Sequence, residues 1–115
     1  MRTEVIDRTV PLDYLKELAA TGFGNLIKAV VDIERRTMAV GGELHADEEA
    51  VLLEQGSDQR DLWGINIYPE LPEEGRIEFD SMINIRPGQG NRSRGVDDPA
   101  TRETIVQIVG ELVRV

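Results

Sequence analysis

The sequence predicts an α+β fold: a mainly antiparallel sheet of about four strands with helices packed on one face, in the order α-β-β-α-β-β-α. Three observations predict it. Apolar residues alternate with polar ones in two stretches, Leu26 to Val40 and Leu62 to Arg86, which is the period of half-buried strands. Each stretch is divided by a polar break of hairpin length, so its strands run antiparallel rather than in the βαβ alternation of a parallel sheet. Apolar residues at helical spacing precede, separate and follow the two stretches.

Taken in order, Thr3 to Asp7 reads as an extended lead. Pro11 suits a first helical position, where its missing N–H costs nothing, and Leu12, Leu15, Leu18 and Ala19 follow at helical spacing until Gly22. From Leu26 to Ile33, the residues Ile27, Ala29, Val31 and Ile33 share one strand face, while Lys28 and Asp32 point the other way. Glu34-Arg35-Arg36 is the break, and Thr37 to Val40 returns to Gly41-Gly42. Asp47 reads as an N-cap, with Glu48 and Glu49 in a first turn that favours acids, and the short helix ends at Gly56. Leu62 to Tyr68 is a strand with Trp63, Ile65 and Ile67 on one face. Arg76 to Arg86 is its partner, with Ile77, Phe79, Ile83 and Ile85 on one face, and Pro69 through Gly75 is the turn between them. Asp98 and Pro99 cap and open the last helix, whose Ile105, Ile108, Val109 and Leu112 form an i, i+3, i+4, i+7 stripe.

The 115 residues suit one domain, residues 1–115, and the mix of 40% hydrophobic and 30% charged residues is that of a globular protein. The absence of cysteine excludes disulfides, thiolate metal sites and cysteine nucleophiles. No apolar run reaches the ~18 residues of a membrane span and none resembles a signal peptide, so the expected location is the cytoplasm, with no membrane partner. A net charge of −9, from 22 acids against 13 bases, argues against general nucleic-acid binding. With one histidine and no G-x-S-x-G elbow, a nucleophilic triad has no support.

Four constellations could carry chemistry. The loop from Arg86 to Asp98 is basic and glycine-rich in an acidic chain. Its Arg86, Arg92 and Arg94, with Asn91 and Ser93, offer guanidinium forks, an amide and a hydroxyl to a phosphate or carboxylate, and a helix N-terminus follows. Its glycine spacing matches neither G-x-G-x-x-G nor the P-loop, and Asp97 and Asp98 occupy the cap that an anion would use. The strand register also exposes a polar sheet face carrying Lys28, Asp32, Asn66, Tyr68, Glu78, Asp80, Asn84 and Arg86, which is what a face left to water requires. On it Glu78 and Asp80 stand two apart, about 6.5 to 7 Å along the strand, a spacing that could share a cation or divide acid and base roles. Finally, Glu43, His45 and their acidic neighbours Asp47, Glu48 and Glu49 are of the residue types that ligate a divalent metal, although helix capping already accounts for the acids.

The stretches Ala29-Val-Val-Asp-Ile-Glu34, Gly41-Gly-Glu-Leu-His-Ala-Asp-Glu-Glu-Ala50, Asp61-Leu-Trp-Gly-Ile-Asn-Ile-Tyr-Pro69, Ile77-Glu-Phe-Asp-Ser-Met-Ile-Asn-Ile-Arg-Pro87 and Asn91-Arg-Ser-Arg-Gly95 resemble an uncharacterised family of short prokaryotic proteins catalogued as a domain of unknown function. The resemblance implies a stand-alone cytoplasmic domain and carries no activity, cofactor or catalytic residue across.

The expectation that follows is a small binding module recognising an anionic small molecule, nucleotide or partner through the Arg86–Asp98 loop. Second comes a protein–protein interaction domain or homodimer using the polar sheet face. Third comes a metal-assisted hydrolase or transferase using Glu43, His45, Glu78 and Asp80. Recognition ranks first because it needs only the loop, whereas catalysis needs a geometry that spacing does not give.

Overall fold

The protein is described by a computed structural model over residues 2–115. Strand β1 (Glu4–Ile6) and the short β2 (Val10–Pro11) lead into helix α1 (Leu12–Thr21). The hairpin β3 (Ile27–Asp32) and β4 (Thr37–Val40) precedes α2 (His45–Glu54). Strands β5 (Leu62–Ile67) and β6 (Ile77–Glu78), helix α3 (Pro99–Leu112) and β7 (Val113–Arg114) complete the chain. The main sheet is antiparallel with strand order β1-β4-β3-β5-β6, and β2 pairs with β7 in a small parallel ribbon. The α+β class and the succession of helices and hairpins are those the periodicity predicts. The extended lead becomes an edge strand because Glu4, Val5 and Ile6 pair with Val40, Ala39 and Met38.

Helices α1 and α3 cover one sheet face. Ala29, Val31, Met38, Val40, Trp63, Ile65 and Ile67 are buried there with Leu15, Ile105 and Ile108, so the stripe of α3 faces the core as its spacing requires. The layering differs from the expectation of helices on a single face. The alternate residues Val30, Ala39 and Leu62 form a second apolar cluster with Leu52 of α2, flanked by Val5 and Ile83. The central strands are apolar on both sides, as in Ala29-Val30-Val31, and such strands need cover on both faces.

The strand expected over Arg76–Arg86 is also shorter. Pairing stops after Glu78, and a 3-10 turn forms at Met82–Asn84 with the Ser81 side chain accepting from Ile83 N–H. Asn84 then replaces the missing backbone partner of β5. Its Oδ1 accepts from Gly64 N–H at 2.8 Å and its Nδ2 donates to Gly64 O at 2.9 Å. Phe79 therefore packs on the first core and Ile83 on the second, while Ile85 belongs to neither and is 38% exposed. Gly64 permits this approach, since a Cβ there would lie 2.5 Å from the Cβ of Ser81.

Helix α2 begins at His45, two residues before the expected cap at Asp47, with Leu44 in the cap position and no side-chain cap bond. The buried Glu48 carboxyl reaches back beyond the cap to accept from Gly42 N–H at 2.9 Å.

Candidate functional site

The loop between Arg86 and α3 is ordered by its own side chains. Asn91 is buried, and its amide donates to the carbonyls of Asn84, Ser93 and Gly95 while its Oδ1 accepts from Asp97 N–H. Asp97 also accepts from Ser93 Oγ at 2.5 Å and from Arg92 N–H at 3.0 Å. These bonds, led by that from Ser93, hold its carboxyl below the usual carboxylate range. Asp98 accepts from Thr101 N–H and Oγ1 and caps α3. The helix terminus is thus closed by the protein's own acid.

The five loop residues fall into different roles. Arg86 is half-buried at the start of β5, its guanidinium 4.2 Å from the Trp63 ring centroid, donating to Gln59 O and Leu62 O. Burial lowers its pKa. It is committed to the fold, which removes it from the candidate ligand set. Asn91 and Ser93 are likewise committed to the loop's own bonds. Arg94 bonds Asp80 at 2.5 Å and reaches Met82 Sδ, with both members of the ion pair well exposed. The Arg92 side chain is exposed and bonds no side chain or backbone group among the described residues.

A second group of polar residues lies on the α2 side of the sheet. Lys28, Asn66 and Glu78 are register partners across β3, β5 and β6, so they form one row on one face. Asn66 Nδ2 donates to Glu78 Oε1 at 2.9 Å and more weakly to Asp80 O at 3.4 Å; Tyr68 OH donates to the same Glu78 oxygen. His45 Nε2 lies 2.8 Å from Ile65 O, and burial pushes its pKa down. Near pH 7 the ring is therefore neutral and donates to that carbonyl.

The structure brings together Asn66, Glu78, Asp80 and Arg94, with His45 at the margin. It leaves Arg86 at the far end of β5 and Glu43 exposed, with no side-chain partner among the described residues. Among the described residues no three His, Asp or Glu side chains gather closely enough to hold a metal ion, so Glu43, His45, Glu78 and Asp80 do not form one coordination set. The polar sheet face is covered in part as well. Asp32, Asn66 and Asn84 are all buried, and Asp32 accepts from Glu34 N–H, Arg35 N–H and Ser57 Oγ. Helix α2 and the 3-10 turn lie over part of that face, while Glu78 stays exposed. Asn66, one of the residues expected on the polar face, joins the cluster by its bond to Glu78. The pairing of Lys28, Asn66 and Glu78 was the available signal, and it needs the register rather than one strand's pattern.

Residues 4–112 match the model of the family described as protein of unknown function, DUF5674. The chain belongs to this family. No curated protein and no solved structure matches it. The matched span takes in the loop, the polar row and α2 together, so all three are parts of the DUF5674 domain, and only residues 1–3 and 113–115 lie outside it. No helix of the described residues is long and apolar enough to cross a membrane.

Proposed function

We propose that this chain is a small cytoplasmic binding module that holds an anionic group of a small molecule, nucleotide or partner on Arg92 and Arg94. The observation that carries this reading is a loop whose backbone is locked while those two arginines stay outside. Asn91 and Asp97 fix the turn, and Arg94 O accepts from Ser81 N–H and Asn84 Nδ2. A site held this way loses little entropy on binding. The Arg94–Asp80 pair is exposed on both sides, at 55% and 43%. Such pairs contribute only about 0 to 1 kcal/mol, so an incoming phosphate or carboxylate can displace Asp80 cheaply. The net charge of −9 favours a compact anion over a nucleic-acid backbone.

The test is a titration of the protein with inorganic phosphate, nucleotides and a short RNA, followed by amide chemical shifts. Saturable binding should centre on the loop, and Arg92→Ala and Arg94→Ala should each weaken it by about tenfold, the loss of one charge-assisted hydrogen bond. Asp80→Asn should strengthen it by about twofold to fivefold, because Arg94 loses its internal competitor. Binding that ignores both arginine substitutions would remove the reading.

A further inference from the structure

A cavity lies away from the loop, where the end of α1 meets the start of β3 and the Gly41–Gly42 turn. It has a volume of about 170 Å³ and is lined by Leu18, Phe23 and Leu26 with the cations Lys28 and Arg2, and no carboxylate is among the described residues that line it. In a chain with 22 acids and 13 bases, two cations on one cavity without an acid are unusual. Among the described residues neither cation forms a salt bridge. Lys28 Nζ instead stands 5.0 Å from the Phe23 ring centroid.

We propose that this cavity is a binding site for a small organic carboxylate with an aromatic or aliphatic body, its acid group meeting Lys28 and Arg2 and its body lying against Phe23, Leu18 and Leu26. The apolar wall and paired cations are the two halves that such a ligand needs. The groups packed around Lys28 support the charge assignment. Glu48 is fully buried beside the Gly42 turn, and burial pushes its carboxyl up to about 9; His45, lowered by burial, is neutral. Neither neutralises Lys28 near pH 7, and Asn66 opposite it on β5 carries no charge. The turn is also held in place. Gly41 has φ +89°, and a Cβ on it would lie 2.6 Å from Arg2 O, so the N-terminal segment seats directly on glycine backbone.

The site stands independently of the Arg92–Arg94 reading, and one experiment separates them. The full chain is titrated with benzoate, benzylamine and benzyl alcohol while amide shifts are followed. Benzoate should give saturable shifts at Phe23, Lys28, Gly41 and Gly42, benzylamine should give none there, and benzyl alcohol should bind at least about tenfold more weakly than benzoate. Lys28→Gln should weaken benzoate by about tenfold and Arg2→Gln by a smaller factor. Both variants must retain the parent amide spectrum elsewhere, and Arg92→Ala/Arg94→Ala should leave benzoate binding intact. Benzoate shifts that do not saturate, that fall elsewhere, or that persist unchanged in both glutamine variants would overturn the proposal.

Discussion

The Arg86 guanidinium lies over the Trp63 ring at 4.2 Å from its centroid and bridges two carbonyls, Gln59 O and Leu62 O, each at 2.5 Å. This arrangement ties the loop before α3 to the first residues of β5 and needs a planar, two-pronged cation. Lysine offers one compact charge and cannot both stack and reach two acceptors. Arg86→Lys should therefore cost about 1 to 3 kcal/mol, measured by urea unfolding with Trp63, the sole tryptophan, as the fluorescent probe. An unchanged midpoint would show that the bridge adds nothing to stability.

The same residue marks where sequence reading reaches its limit. By composition Arg86, Arg92 and Arg94 are alike, yet one is a fold clamp and two are surface groups. The difference lies in partners remote in sequence, such as Leu62 at a separation of 24 residues. Elements with a long single-face pattern were legible: the α3 stripe, β3, and β5 with Trp63 in the core all follow their periodicity. The stretch from Ile77 to Ile85 was not. Alternation is preserved there while the chain leaves the sheet, because the Asn84 side chain can satisfy Gly64 as a strand backbone would. The position of α2 was hidden for a related reason, since Val30 and Ala39 reveal a second buried face only once the register places them together with Leu62.

Gly64 is the position where that substitution of side chain for strand can be tested. An added Cβ would sit 2.5 Å from Ser81 Cβ, an atom rooted in the backbone rather than the free end of a flexible side chain. Gly64→Ala should cost about 3 kcal/mol, the upper end of overpacking, and lower the melting temperature by about 10 °C. Gly88→Ala meets nothing within 4 Å, and its change should stay within about 1 kcal/mol. Calorimetry of the two variants side by side checks the contrast.

Asn91 should separate loop architecture from loop chemistry. Asn91→Ala removes an amide bonded to three carbonyls and one N–H from a site that is 4% exposed. The buried groups left behind should cost roughly 2 to 4 kcal/mol, with faster hydrogen exchange at Asp97 N–H. Arg92→Ala, on the exposed side of the same loop, should change stability by less than about 0.5 kcal/mol. If phosphate binding falls in both variants while stability falls only in Asn91→Ala, the loop acts as a rigid support for its arginines.

Glu48 predicts how stability varies with pH. Its carboxyl is fully buried, accepts one bond from Gly42 N–H, and is held protonated up to about 9 chiefly by burial, against an ordinary value of 4.5. Below pH 4.5 the group is neutral whether the chain is folded or unfolded, and its contribution to stability is fully present. Between pH 4.5 and about 9 the unfolded chain has released the proton and the folded one retains it, so stability falls steadily as pH rises. Above that window the folded state carries a buried charge. His45 has the opposite slope, since its lowered pKa makes folding less favourable as pH drops below the ordinary 6.5. Glu48→Gln keeps an acceptor for Gly42 and stays neutral throughout. It should therefore gain on the parent as pH rises, by roughly 2 to 4 kcal/mol at pH 8, and should flatten the decline. Urea midpoints for both proteins from pH 5 to 9 measure the difference, and parallel profiles would mean that Glu48 is not the group that titrates.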